Sequence, residues 1–273
     1  MASPATPEFS FPNWTQSRND SSAATKNSPL TEEVRKHVAD VYIALACTLI
    51  AAAMGVTLHL MTNCGGLLSG LGSFGAVIAL SSGAYASNFT ARMGLLLGIG
   101  LLQGMTIGEL VAVALSINPA IVLLAAAGTA VVFACFAAAA LVAKRRTYLY
   151  LGGVLGSVTS IMCLMSLLNM FMRSPMLYEL QLFGGLVAFC GFVVFDTQLM
   201  IEKAVGGSRD VALHAMELFV DFVSIFVRIL IIMIRNAEKN QRRDSRRNSG
   251  SAHGSSSSSR KSEMSAFATT TRR

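Results

Sequence analysis

Asp196 and Asp221 lie inside long apolar runs, where an ionisable side chain is costly and marks a functional candidate by default. A short polar segment near Ala204–Asp210 joins the two runs, so helices built from them must be antiparallel neighbours. Counted from that turn, Asp196 lies ~10 Å up one helix and Asp221 ~16 Å up the other. The mismatch is about one turn, which tilt and side-chain reach could absorb. The spacing therefore admits contact. It equally admits two separate carboxyls, each satisfied by its own hydroxyl, amide or arginine. In contact and desolvated, the two could not both ionise easily; they would share a proton and titrate as a pair, a pH-responsive latch between helices. Deprotonated, the same oxygens suit a hard cation, so Asp196 and Asp221 are also a candidate transient Ca²⁺ site.

The last apolar segment carries a polar stripe. His214, Glu217, Asp221, Ser224 and Arg228 recur at helical spacing and share one face. Glu217, Arg228 and His214 are therefore candidate neighbours of a pore or gate. Arg228, two turns from Asp221, reads as a snorkelling or partner charge, and His214 as a helix-start histidine at the interface. Glu109 sits in a glycine-rich run with no neutralising neighbour in sequence; an ion path or a structural hydrogen bond would each explain it. Two late aspartates also suit an intramembrane aspartyl protease. That chemistry needs Gly-x-Gly-Asp and Pro-Ala-Leu motifs, whereas Leu-Phe-Val precedes Asp221 and no Pro-Ala-Leu occurs. No metal-ligand cluster, phosphate loop or nucleophile triad is present, so no enzyme and no cofactor are expected. Five cysteines without a CxxC argue against a disulfide framework.

The elements that must position these groups are membrane helices. The chain is 53% hydrophobic and 14% charged, well below the ~25% charged of soluble domains. Apolar runs predict spans at about 39–61, 66–87, 93–116, 119–142, 148–171, 177–200 and 212–234. The expected fold is an all-α polytopic bundle of seven hydrophobic helices. The seventh bears too much charge to face lipid and must bury that face among the others. Gly94-x3-Gly98, Gly100-x3-Gly104-x3-Gly108 and Gly66-x3-Gly70 allow close helix approach. Lys and Arg alternate between loops, with Arg35, Lys36, Arg92, Lys144, Arg145, Arg146, Lys203 and Arg209 on one side, which places the N-terminus in the cytosol. Seven crossings would then put the basic tail on the lumenal side; a re-entrant last segment is the alternative.

Three regions follow: a disordered Ser/Pro-rich segment over 1–30, the transmembrane domain over 31–236, and a disordered Ser/Arg-rich tail over 237–273. From Arg235 onward ten Lys/Arg stand against three Asp/Glu, the whole of the +7 net charge. Such a tail beside a membrane suits anionic lipid and not nucleic acid. Ser245 and Ser249 follow paired arginines and are candidate phosphorylation sites. Phe226–Arg247, apolar then basic, resembles a calmodulin target, though a stop-transfer flank is the more usual reason for such a pattern.

Several stretches together resemble the Bax inhibitor-1 family, most closely its plant-type members of the endoplasmic reticulum. They are Ala143-Lys-Arg-Arg-Thr-Tyr-Leu-Tyr-Leu-Gly-Gly153, Phe195-Asp-Thr-Gln198 through Ala204, His214 through Phe222, Val227-Arg-Ile-Leu-Ile-Ile-Met233 and Ser116-Ile-Asn-Pro119. The resemblance covers about 35–240. It implies a seven-helix bundle with the last helix central, in the endoplasmic-reticulum membrane. Asp196 and Asp221 match the family's paired aspartates, a pH-sensing pair that gates a Ca²⁺ leak. It also implies suppression of programmed cell death and of endoplasmic-reticulum stress, with other membrane proteins of those processes as partners. A non-conducting interaction scaffold is the alternative. Some plant-type members bind calmodulin through a compact lysine cluster, from which this arginine- and serine-rich tail departs.

Overall fold

The computed structural model describes residues 32–83, 88–143 and 150–270, with side chains as far as Arg243. Within them the chain forms seven helices and no strand: α1 (Glu32–Thr62), α2 (Leu67–Ser81), α3 (Phe89–Ile117), α4 (Pro119–Val142), α5 (Leu151–Met172), α6 (Pro175–Val205) and α7 (Val211–Thr270). The segment over 1–30 and the Lys144–Arg146 loop lie outside the described residues, as do the side chains of Ser245 and Ser249.

Local chemistry sets the breaks. Asn118 accepts the Ala120 N–H at 2.9 Å and Pro119 takes the first helical position, so α3 stops and α4 starts across one residue. Arg173, left-handed at φ 48°, ends α5, and Pro175 opens α6. Asp210 caps α7 by accepting the Leu213 N–H at 3.2 Å.

Helices α1, α3, α4, α5 and α6 are long and apolar enough to cross a membrane. Their outer faces carry large apolar side chains such as Ile43, Leu123 and Phe183, as lipid-facing surfaces do. The chain is a multi-pass membrane protein. α2 departs from expectation: its predicted run to residue 87 stops at Ser81, where Ser82 and Gly83 (φ 73°) turn the chain. Its 15 residues reach only ~22 Å, short of a ~30 Å hydrocarbon core.

Parallel α1 and α3 pack through the predicted glycine ridge. Gly100, Gly104 and Gly108 face Thr48, Ala52 and His59 in turn, and a Cβ on Gly104 would lie 2.9 Å from the Ala52 Cα. The Gly94–Gly98 pair takes no part, since neither residue faces anything within 4 Å. His59 is buried on this seam.

α7 is the axis of the bundle. It packs against α1, α2, α3, α4 and α6, while α5 packs on α6 alone. Between Val211 and Arg235 the one exposed side chain is Val220. Four contacts give the antiparallel register with α6: Lys203 with Glu217, Asp196 with Asp221, Phe189 with Arg228, and Glu179 with Arg235. α7 thus runs unbroken beside α6 and does not re-enter. Its start binds the start of α1 through Arg209 and Glu33 (2.6 Å), so Glu32 and Arg243 stand at opposite faces of the bundle. The α7 backbone continues helical to Thr270, and every described side chain beyond Ala237, as far as Arg243, is exposed.

Candidate functional site

α6 and α7 bring the two aspartates together. The side chains of Asp196 and Asp221 lie within hydrogen-bonding reach, and each is in the other's field. A hydrogen bond between two carboxyls requires a proton on one of them. Asp221 is 3% exposed, and its Oδ2 is buried without a hydrogen-bond partner. Asp196, on the outer of the two helices, is half-buried.

Glu217, one turn before Asp221, acts electrostatically on both aspartates. Lys203 binds Glu217 at 3.1 Å and also acts on Asp196. The site is therefore three carboxyls and one ammonium, and a proton on the pair lowers its excess negative charge from two to one. Among the described residues no group of three or more His, Cys, Asp or Glu is placed to hold a metal. Ca²⁺ takes roughly six to eight oxygens, so the pair suits a passing cation better than a resident one.

Other predicted residues fall elsewhere. Arg228 turns from the pair: its guanidinium lies 4.4 Å over the Phe189 ring and donates to the Ser224 carbonyl at 2.9 Å. Glu109 is exposed on α3 and does not meet the aspartates. His214 stands in the first turn of α7, as expected, but is buried in the bundle. It is 1% exposed, and its Nδ1 lies 3.0 Å from Nε2 of buried His37, with the two rings edge to face.

Sequence reasoning missed that partner, and it missed the ion pair of buried Arg92 with Asp210. Together with Arg209–Glu33 these contacts clasp the start of α7 to α1 and α3. Tyr42, five residues beyond His37 on α1, and Thr197, beside Asp196 on α6, bring buried hydroxyls within reach of each other. Beside them Asp221 Oδ2 stays a buried polar atom without a partner, which native structures hold only for a specific reason.

Residues 34–238 match the family model described as Inhibitor of apoptosis-promoting Bax1. Bax inhibitor 1 of Bos taurus is 42% identical over 219 residues, covering 79% of this chain and 93% of that protein. Bax inhibitor 1 of Arabidopsis thaliana is 42% identical over 209 residues, 76% of this chain and 84% of that protein. The rice protein of the same name, from Oryza sativa subsp. japonica, is 41% identical over 210 residues, with shares of 77% and 84%. The matched region contains every helix contact of the carboxyl site and stops where side chains leave the core.

Proposed function

Since the chain belongs to the Bax inhibitor-1 family, we propose that it suppresses programmed cell death from the endoplasmic-reticulum membrane, and that it does so through a proton-governed Ca²⁺ leak. The observation that carries this reading is the contact of Asp196 with Asp221 between the axis helix and its neighbour. Protonated, the pair joins α6 to α7. Deprotonated, two like charges in a desolvated layer push the helices apart and offer oxygens to a cation. One proton thereby selects between two packings of the same helices. The alternation of basic loops supports an N-terminus in the cytosol. That side would hold the His37–His214 and Arg92–Asp210 contacts, leaving the far end of α7 towards the lumen.

The test is Ca²⁺ efflux from vesicles holding the purified chain alone, followed across a pH series. The wild type should show a flux that changes with pH. Asp196→Asn and Asp221→Asn should each flatten the profile, because an amide neither shares nor releases the proton. A pH response that survives in both variants refutes the gate. Cell-death suppression by a chain with no flux at any pH would leave an interaction scaffold instead.

A further inference from the structure

A cavity of about 400 Å³ lies between α5, α6 and α7, away from the carboxyl pair. Ser166, Asn169, Tyr178, Gln181 and Arg228 line it, together with aliphatic side chains. Arg228 is the charged member, and among the described residues no carboxylate stands within ion-pairing distance of it. Of its five N–H donors, one is taken by the Ser224 carbonyl, and the Phe189 ring covers one face. Gly185 makes room for the rest: a Cβ there would lie 3.0 Å from the Arg228 Cζ. Asn169 adds a buried Oδ1 with no hydrogen-bond partner; rotating the amide would present a second donor. A half-buried cation without a counter-charge, beside unused polar groups, is the electrostatic signature of a site for an anion.

The opening says which anion. α5 touches α6 and no other helix, so the gap between α5 and α7 has a back wall and no front. Met170 and Phe171 of α5 beside that gap are exposed, as lipid-facing side chains are. Glu179 and Arg235 pair near the end of α6 and mark the polar boundary. Gly185, against which the guanidinium lies, is six residues further in, or ~9 Å, a depth suited to the phosphate and glycerol of a bilayer lipid. We propose that this cavity holds the phosphate headgroup of one anionic phospholipid. Arg228 grips the phosphate, the amides of Asn169 and Gln181 and the Tyr178 hydroxyl bind its remaining oxygens, and the acyl chains leave between α5 and α7.

The test uses the full-length chain, stripped of co-purified lipid and titrated in uncharged detergent, with bound lipid counted by native mass spectrometry. Phosphatidylglycerol should bind at one saturable site, more tightly than phosphatidylcholine. Arg228→Gln should weaken it about tenfold, the loss of a charge-assisted contact. Met170→Trp, which fills the cavity and leaves Arg228 and the basic tail untouched, should weaken it as well. Unchanged phosphatidylglycerol binding in both variants would place the lipid on the tail and overturn the proposal. So would inorganic phosphate competing at equal concentration, which would make this a site for a soluble oxyanion.

Discussion

Asp210 holds two offices at the start of the axis helix, and removing it separates them. Its Oδ1 caps α7 through the Leu213 N–H, and its Oδ2 neutralises Arg92, whose side chain is 7% exposed. Loss of a cap costs about 0.5–2 kcal/mol. Stranding a buried charge costs about 3–5 kcal/mol, but Asp210 is itself 31% exposed, and solvent reaching that side lowers the figure to about 2–3 kcal/mol. Asp210→Ala should therefore destabilise by about 3–4 kcal/mol. Asp210→Asn keeps a capping oxygen and loses the charge, so it should cost about 1 kcal/mol less than the alanine variant. Arg92→Met combined with Asp210→Asn leaves no charge stranded, and should recover most of the penalty of Asp210→Asn alone. The assay is reversible unfolding of the purified chain in mixed micelles, run as a double-mutant cycle. A coupling below about 0.5 kcal/mol would mean that the two groups act independently, and the clasp would not hold α7.

Two further outcomes follow from the packing. Gly104→Ala should destabilise by about 1–3 kcal/mol, because its methyl meets the Ala52 backbone, whereas Gly98→Ala should be neutral or stabilising by up to about 1 kcal/mol; thermal unfolding of both variants checks the contrast. Tags placed at the two ends of the chain should differ in protease accessibility in sealed microsomes, one digested and the other protected, because α7 runs the full length of α6; equal digestion of both would contradict that path.

The number and order of helices were legible because each apolar run is bounded by residues that cannot continue it. The exception, α2, shows the limit. Its apolar run carries no charge before residue 87, yet Ser81-Ser82-Gly83 turns the chain early, a signal of turn chemistry that hydropathy overrides. Contact between Asp196 and Asp221 was half legible: the short connection fixed antiparallel neighbours, but tilt decided whether side chains met. The clasp was illegible. His37 and His214 are 177 positions apart, and Arg92 and Asp210 are 118 apart, so nothing local joins either pair. Arg228 shared a helical stripe with Asp221, but it lies about two turns further along, and the room left by Gly185 holds the guanidinium away from the pair.

The same contacts constrain how a proton on the pair could move the bundle. α6 and α7 are tied on both sides of the aspartates, by Lys203–Glu217 at one end and Glu179–Arg235 at the other. A hinge at either end would break the far tie. Those ties are partly exposed, at 31% and 24% and at 47% and 31%, and pairs so wetted contribute only about 0–1 kcal/mol each. The clasp at the start of α7 is firmer, because Arg92 and the two histidines are buried. Repulsion at the centre would therefore meet least resistance towards the Glu179–Arg235 end and most towards the clasp. If the proposed gate operates, the helix to yield would be α6, sliding on α4 and carrying α5 with it, since α5 packs on nothing else, while α7 would stay fixed to α1 and α3. That displacement widens the gap between α5 and α7. A phospholipid seated there would oppose or follow the movement, so proton and lipid would act on one shared motion from two separate sites.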